Sequence, residues 1–242
     1  MPEQPPYNRA MVPWLGANDR FPPVERALEE PNGLLAAGAD LFIPRLLEAY
    51  RGGIFPWYGE GQPVLWWSPD PRMVLFPSEL RLSRSLRKRI AKRDYEVRAD
   101  TAFEAVIRGC AGPRPEREGT WITGDMVAAY TALARAGHAH SVETWIGGEL
   151  AGGLYGVALG RMFYGESMFT RVPDASKIAL AHLVRRLEHR RFGMIDCQMN
   201  TAHLARFGAR EIPRTEFSQR LAELVNCPPS AAAWRFDDDL VT

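Results

Sequence analysis

SVETWIGGELAGGLYGVALGRMFYGESMF, residues 141–169, reads as an antiparallel meander: SVETWI, the turn Gly147-Gly148, ELAGGLYGVAL, the turn Gly160-Arg161 and MFYGESMF. Paired glycines supply the positive φ that tight hairpin turns need, and the flanking runs carry the β-branched and aromatic residues that suit a pleated, half-buried surface. Upstream, MVLF at 73–76 and YEVRA at 95–99 read as strands and 101–111 as a helix. Thr123 or Asp125 opens another helix to Ala136, with Met126, Tyr130 and Leu133 at helical spacing and Gly137 as its stop. Downstream come a helix over 174–191, the strand MIDCQM at 194–199, a short helix near 201–207, REIP and a helix from about 215 to 225. Antiparallel strands followed by strand-helix-strand pieces predict an α+β domain with α/β-like layers, helices lying on the sheet faces.

The chain before residue 72 has a different character. Pro5, Pro6, Pro13, Pro22, Pro23 and Pro31 deny helix continuation across the first 33 residues. A short helix follows, with Pro44 in its first turn, Leu46, Leu47 and Tyr50 on one face, and Gly52-Gly53 as its end. Residues 54–72, IFPWYGEGQPVLWWSPDPR, read as an aromatic loop. The expectation is a small loop-rich N-terminal domain, 1–71, preceding a catalytic domain, 72–242. The tail with Asp237, Asp238 and Asp239 is expected to fray.

A formal net charge of +1 over 242 residues excludes a uniformly basic nucleic-acid coat but permits a local patch. Three scattered cysteines, Cys110, Cys197 and Cys227, fit neither a disulfide framework nor a zinc knuckle. HAH at 138–140 lacks further ligands and reads as a strand start, so no metal is expected. No apolar run approaches the ~20 residues that span a bilayer, and the first ten residues lack signal-peptide character, which predicts a cytoplasmic protein with no membrane partner.

Several positions carry possible chemistry. Alternation within MIDCQM puts Asp196 and Gln198 on one strand face and Ile195, Cys197 and Met199 on the other, so a carboxylate and an amide project together. The bland alternative is an edge strand with a wet face. Glu166 lies in an apolar stretch where an ionised group needs a partner: either a salt bridge to Arg171 or Lys177, or a shared anionic cavity with Asp196 that selects a cation. Trp57, Tyr58, Trp66 and Trp67 are either core aromatics or stacking platforms for a nucleobase. Residues 81–98 carry eight Arg or Lys against Asp94 and Glu96. That stripe is either a solvated helix face or a phosphate-backbone contact.

The element order resembles the GNAT acyltransferase fold. TRVPDASK before the 174–191 helix lacks the paired glycines with which GNAT enzymes bind coenzyme A, so no coenzyme A and no other cofactor is expected. Taken together, EPNGLLAAGADL, RGGIFPW, LWWSPDPR, EGTWIT, GHAHSVE, GGLYGV, FYGESMF, ASK, IDCQ and FGAREIPR resemble the leucyl/phenylalanyl-tRNA protein transferase family from about residue 21 to 225. The resemblance implies an aminoacyltransferase that moves Leu, Phe or sometimes Met from aminoacyl-tRNA to proteins beginning with Arg or Lys, marking them for N-end rule degradation.

By that resemblance Trp57 and Trp121 hold the terminal adenosine, and Tyr50 and Tyr130 line the reaction centre. Leu154, Phe163, Met168, Leu183 and Ile195 form the amino-acid pocket. Asp196 and Gln198 orient the acceptor amine and help remove its proton, while Glu166 supplies anionic surroundings. Arg84, Arg87, Lys88, Arg89, Lys92 and Arg93 grip the tRNA backbone. Leu154 and Leu183 stand where the family pattern suggests methionine and phenylalanine, leaving the order of preference among the donors open. Strict alternation separates Phe163 from Met168, so both line one pocket only if Gly165 marks a bulge or the strand ends there. A monomer suffices. The rival readings are an acyl-CoA-dependent GNAT enzyme and a non-catalytic RNA-binding module.

Overall fold

The computed structural model describes residues 12–112, 120–228 and Trp234. Asp237–Asp239 of the tail and part of the EGTWIT block lie outside the described residues.

The N-terminal part builds a small sheet of its own. Strands β1 (Trp14–Leu15), β2 (Leu34–Gly38), β3 (Phe55–Pro56) and β4 (Leu65–Trp67) lie in the order β1-β2-β4-β3. The stretch expected to be a loop therefore contains two strands, with Phe55 opposite Trp67 and Pro56 opposite Trp66. They are too short for alternation to register, and β3 is an edge strand, where the missing proline N–H leaves no ladder bond unmade. Trp66 is wholly buried and donates its indole N–H to the Gly38 carbonyl at 2.9 Å. Helix α1 (Ile43–Arg51) turns Leu46, Ala49 and Tyr50 inward and ends at Gly52, close to expectation.

At Arg72 the chain enters a second sheet of seven strands: β5 (Arg72–Leu75), β6 (Glu96–Ala99), β7 (Ala139–Ile146), β8 (Glu149–Leu159), β9 (Met162–Thr170), β10 (Met194–Gln198) and β11 (Arg210–Ile212). Their order is β11-β5-β10-β9-β8-β7-β6. The meander β7-β8-β9 sits as read from the sequence, and His140 lies near the start of β7. Gly160 is required at the second turn, because a Cβ there would come within 2.3 Å of the Leu224 carbonyl oxygen.

Among the described residues six further α-helices complete the α+β arrangement: α2 (Arg84–Ile90), α3 (Phe103–Ala111), α4 (Gly124–Arg135), α5 (Ala175–His189), α6 (Ala202–Ala205) and α7 (Arg214–Val225). β10 runs parallel to β9, which obliges the chain to cross over, and α5 makes that crossing. Alternation divides the core in two. Val74, Tyr155, Val157, Met162 and Tyr164 face α1, α3, α4, α7 and the small sheet. Met73, Leu75, Leu154, Phe163 and Ile195 face α2 and α5.

Candidate active site

Two irregularities in the large sheet create the site. Along β8 and β9, Tyr155 pairs with Ser167 but the next residue, Gly156, pairs with Gly165, so Glu166 is an extra residue in β9. Such a bulge resets the strand's parity. A Cβ on Gly156 would come within 2.2 Å of the Tyr164 carbonyl oxygen, so the crowded partner strand needs glycine there. Along β10 and β5, Asp196 pairs with Val74 and Gln198 with Met73, leaving Cys197 as the extra residue.

Between these bulges opens a cavity of about 390 Å³. Its lining includes Leu154, Phe163, Met168, Leu180, Leu183 and Ile195, which pack in one apolar cluster, together with Glu166, Ser167 and Gln198 and with Trp57 and Trp121. The condition set for Phe163 and Met168 to meet is fulfilled by the Glu166 bulge. Leu180 escaped the sequence reading although it lies three residues before Leu183, the spacing that puts both on one helix face. Met199 lines the cavity with Ile195 and Cys197, and Thr201 and His203, on the loop and short helix after β10, add lining that strand alternation could not assign. Burial lowers the His203 pKa, with Lys177 and Arg206 adding to the effect.

Glu166 does not pair with Arg171 or Lys177. The Arg171 guanidinium donates to the Leu150 carbonyl and lies over the Phe169 ring, and Lys177 pairs with Asp174. The Glu166 carboxyl group instead lies at hydrogen-bonding distance from the Tyr50 hydroxyl, 2.8 Å, and the Tyr130 hydroxyl, 3.1 Å, and the two hydroxyls also meet each other; two phenol protons satisfy two of these three contacts, and all three are made when the carboxyl carries a proton. Tyr50 comes from α1 and Tyr130 from α4, so three distant segments converge on one acid. Burial pushes the Glu166 pKa up to about 7, with the tyrosine hydrogen bonds opposing it. Burial first, and then the Glu166 charge, hold both phenols well above 10. Neither tyrosine is among the cavity-lining residues: both are wholly buried behind Glu166 and support it.

Asp196 and Gln198 do not project together. Ile195, Cys197 and Met199 line the cavity and the bulge at Cys197 brings Gln198 to join them, while Asp196 is fully buried on the other side of the strand. Its Oδ1 accepts from Arg72 Nε at 2.8 Å and its Oδ2 from Arg72 Nη2 at 2.6 Å. Oδ1 also accepts from the Gln198 backbone N–H at 2.9 Å. A bidentate guanidinium-carboxylate pair is among the stronger hydrogen-bonded contacts in a protein interior. Arg72 had no role in the sequence reading, since its partner lies 124 positions away.

The Trp57 and Trp121 segments are held close to one another. Trp57 donates its backbone N–H to Leu65, and its carbonyl accepts the Trp67 indole N–H at 2.6 Å, the two rings meeting edge to face at 5.5 Å. The next residue, Tyr58, bonds the Thr123 hydroxyl at 3.3 Å, and Thr123 is the N-cap of α4 two residues after Trp121.

The basic stripe folds partly into α2, whose Leu86 and Ile90 are buried in the same core as the cavity's apolar cluster. Arg84, Arg87, Lys88, Lys92 and Arg93 are exposed. Arg89 is not: it pairs with Asp94, stands over the Tyr95 ring and is only 17% exposed. Among the described residues no cluster of His, Cys, Asp and Glu could hold a metal ion, and no helix is long and apolar enough to cross a membrane.

The family model for leucyl/phenylalanyl-tRNA protein transferase matches residues 74–222, and the model for the N-terminal domain of that family matches residues 39–70. A leucyl/phenylalanyl-tRNA--protein transferase of Nitrosospira multiformis is 62% identical over 231 residues, covering 96% of this chain and all of the relative. The protein of that name from Nitrosomonas europaea is 62% identical over 227 residues, covering 94% of this chain and 96% of the other. Among solved structures, L-PGS from Bacillus licheniformis aligns with a TM-score of 0.39 at 9% identity, over 69% of this chain and 53% of that one.

Proposed function

Because this chain belongs to the leucyl/phenylalanyl-tRNA protein transferase family, we propose that it moves leucine, phenylalanine or methionine from aminoacyl-tRNA to proteins beginning with Arg or Lys, marking them for N-end rule degradation. The observation that carries the reading is that one cavity is lined by an apolar cluster, by Glu166 and Gln198, and by two tryptophans.

The donor side chain enters the space between Leu154, Phe163, Met168, Leu183 and Ile195. An apolar pocket distinguishes substrates by shape at about 1–3 kcal/mol per methylene, so Leu, Phe and Met overlap as donors. Trp57 and Trp121 take the terminal adenosine by stacking, which any adenosine-ended tRNA satisfies. The acceptor's α-amine attacks the ester carbonyl carbon; the new C–N bond forms, the C–O bond to the ribose breaks, and the ribose hydroxyl leaves with a proton. Gln198 orients the amine. Glu166, with a pKa near neutrality, accepts its proton in the ionised form and gives the acceptor's cationic side chain an anionic neighbour. Tyr50 and Tyr130 keep the acid in place. An ester is already activated, so positioning supplies much of the rate.

Arg84, Arg87, Lys88, Lys92 and Arg93 meet tRNA phosphates without reading sequence. The change of sheet between Trp67 and Arg72 supports a small N-terminal unit, 1–71, ahead of a GNAT-like catalytic unit, 72–242. The enzyme works in the cytoplasm as a monomer without a cofactor.

The test is incubation with leucyl-tRNA and a peptide starting with Arg. Peptide heavier by one leucine residue supports transfer; charged tRNA that survives prolonged incubation with unchanged peptide refutes it in favour of a non-catalytic RNA binder.

A further inference from the structure

Gln198, in the cavity wall, has a φ of 57°. A long side chain occupies that left-handed region only where the surroundings compel it. The compelling contact is the bond from its N–H to Asp196 Oδ1, and that oxygen is itself fixed by Arg72. Arg72 is wholly buried, and its remaining donor, Nη1, meets the Gly53 carbonyl at 3.1 Å. Its guanidinium lies 4.8 Å from the Phe55 ring centroid and 4.6 Å from that of Phe217. A planar fork clamped between two rings can present its donors in one direction only, so it fixes both Asp196 oxygens.

We propose that Arg72 is a positioning residue for transfer: through Asp196 it sets the backbone at 198 and holds the Gln198 amide in the cavity wall, and Asp196 itself passes no proton. This rests on the reading of the cavity given under Proposed function. It accounts for an ion pair placed behind the wall and for a strained residue placed in it.

The experiment measures single-turnover leucine transfer from leucyl-tRNA to an Arg-starting peptide, with thermal melting to establish that each variant is folded. Wild type comes first: absence of transfer there would refute the proposed activity, whereas a change confined to the variants bears on Arg72. Arg72→Lys, which keeps the charge but loses the fork, slows transfer about 10- to 100-fold, the scale expected for a small misplacement of a reacting group. Its KM for charged tRNA stays as in wild type. Gln198→Gly removes the amide and accepts the positive φ without strain. In that background Arg72→Lys slows transfer no further, as residues acting through one another are non-additive.

Equal slowing in both backgrounds, or a folded Arg72→Lys protein with the wild-type rate, would overturn the proposal. If Arg72→Lys fails to fold, Asp196→Asn replaces it. The asparagine retains an acceptor oxygen for the 198 N–H, so transfer persists above the level of Asp196→Ala. Complete loss of transfer in folded Asp196→Asn would show that the charge takes part in the chemistry, and the proposal would fail.

Discussion

Replacing Glu166 by Gln removes a buried acid whose titration is visible in stability as well as in rate. The pKa rises from 4.5 to about 7 in the folded protein, chiefly through burial. At 1.36 kcal/mol per pH unit, that rise is worth about 3 kcal/mol between the two protonation states. The sign follows from proton uptake: between these values the folded protein binds the proton more tightly than the unfolded chain, so stability falls as pH rises. The penalty is nearly absent below pH 4.5 and fully present above about pH 7. Urea unfolding of wild type and Glu166→Gln at pH 5 and pH 8 isolates it. We expect the variant to gain about 2–3 kcal/mol on wild type between the two pH values, whatever its offset at pH 5. Transfer by wild type should rise with pH through neutrality. The acceptor α-amine titrates near 7.7–8.0 as well, so the informative quantity is the ratio of wild type to variant. A stability gap that is the same at both pH values would refute the argument that Glu166 is an acid held near neutrality by burial.

Other substitutions probe the remaining parts of the cavity. Trp121→Ala should weaken binding of an aminoacyl-adenosine fragment by about 1–3 kcal/mol, measured by calorimetry, with little change in melting temperature. Leu183→Phe fills space at the apolar cluster, so in competition between leucyl- and phenylalanyl-tRNA it should lower phenylalanine transfer roughly 10-fold more than leucine transfer. Arg87→Ala combined with Lys88→Ala should reduce tRNA affinity and flatten its dependence on salt by about one in log-log slope per lost phosphate contact, while Arg89→Ala should change that slope little.

The large sheet was legible because its signals are local. The Gly147-Gly148 and Gly160-Arg161 turns bracket long strands, and Thr123 caps α4 with its own hydroxyl. β3 and β4 were missed because strands of two and three residues carry no period. Composition marked Glu166 as an acid in need of partners, but its two tyrosines arrive from 116 and 36 positions away. Strict alternation misplaced Gln198, and so paired it with Asp196, because the bulge at Cys197 reverses parity, and only backbone pairing reveals it. Arg72 sits where the composition changes, which drew attention to the boundary and away from the side chain.

The central claim is that one cavity receives the donor's side chain at its apolar cluster and its adenosine at the tryptophans. A crystal structure with a non-hydrolysable leucyl-adenosine amide tests it directly. The account predicts the leucine side chain among Leu154, Phe163, Met168, Leu183 and Ile195, the carbonyl carbon facing Glu166 and Gln198, and the adenine against Trp57 or Trp121. An analogue bound elsewhere, or turned so that its base lies at the apolar cluster, would contradict it.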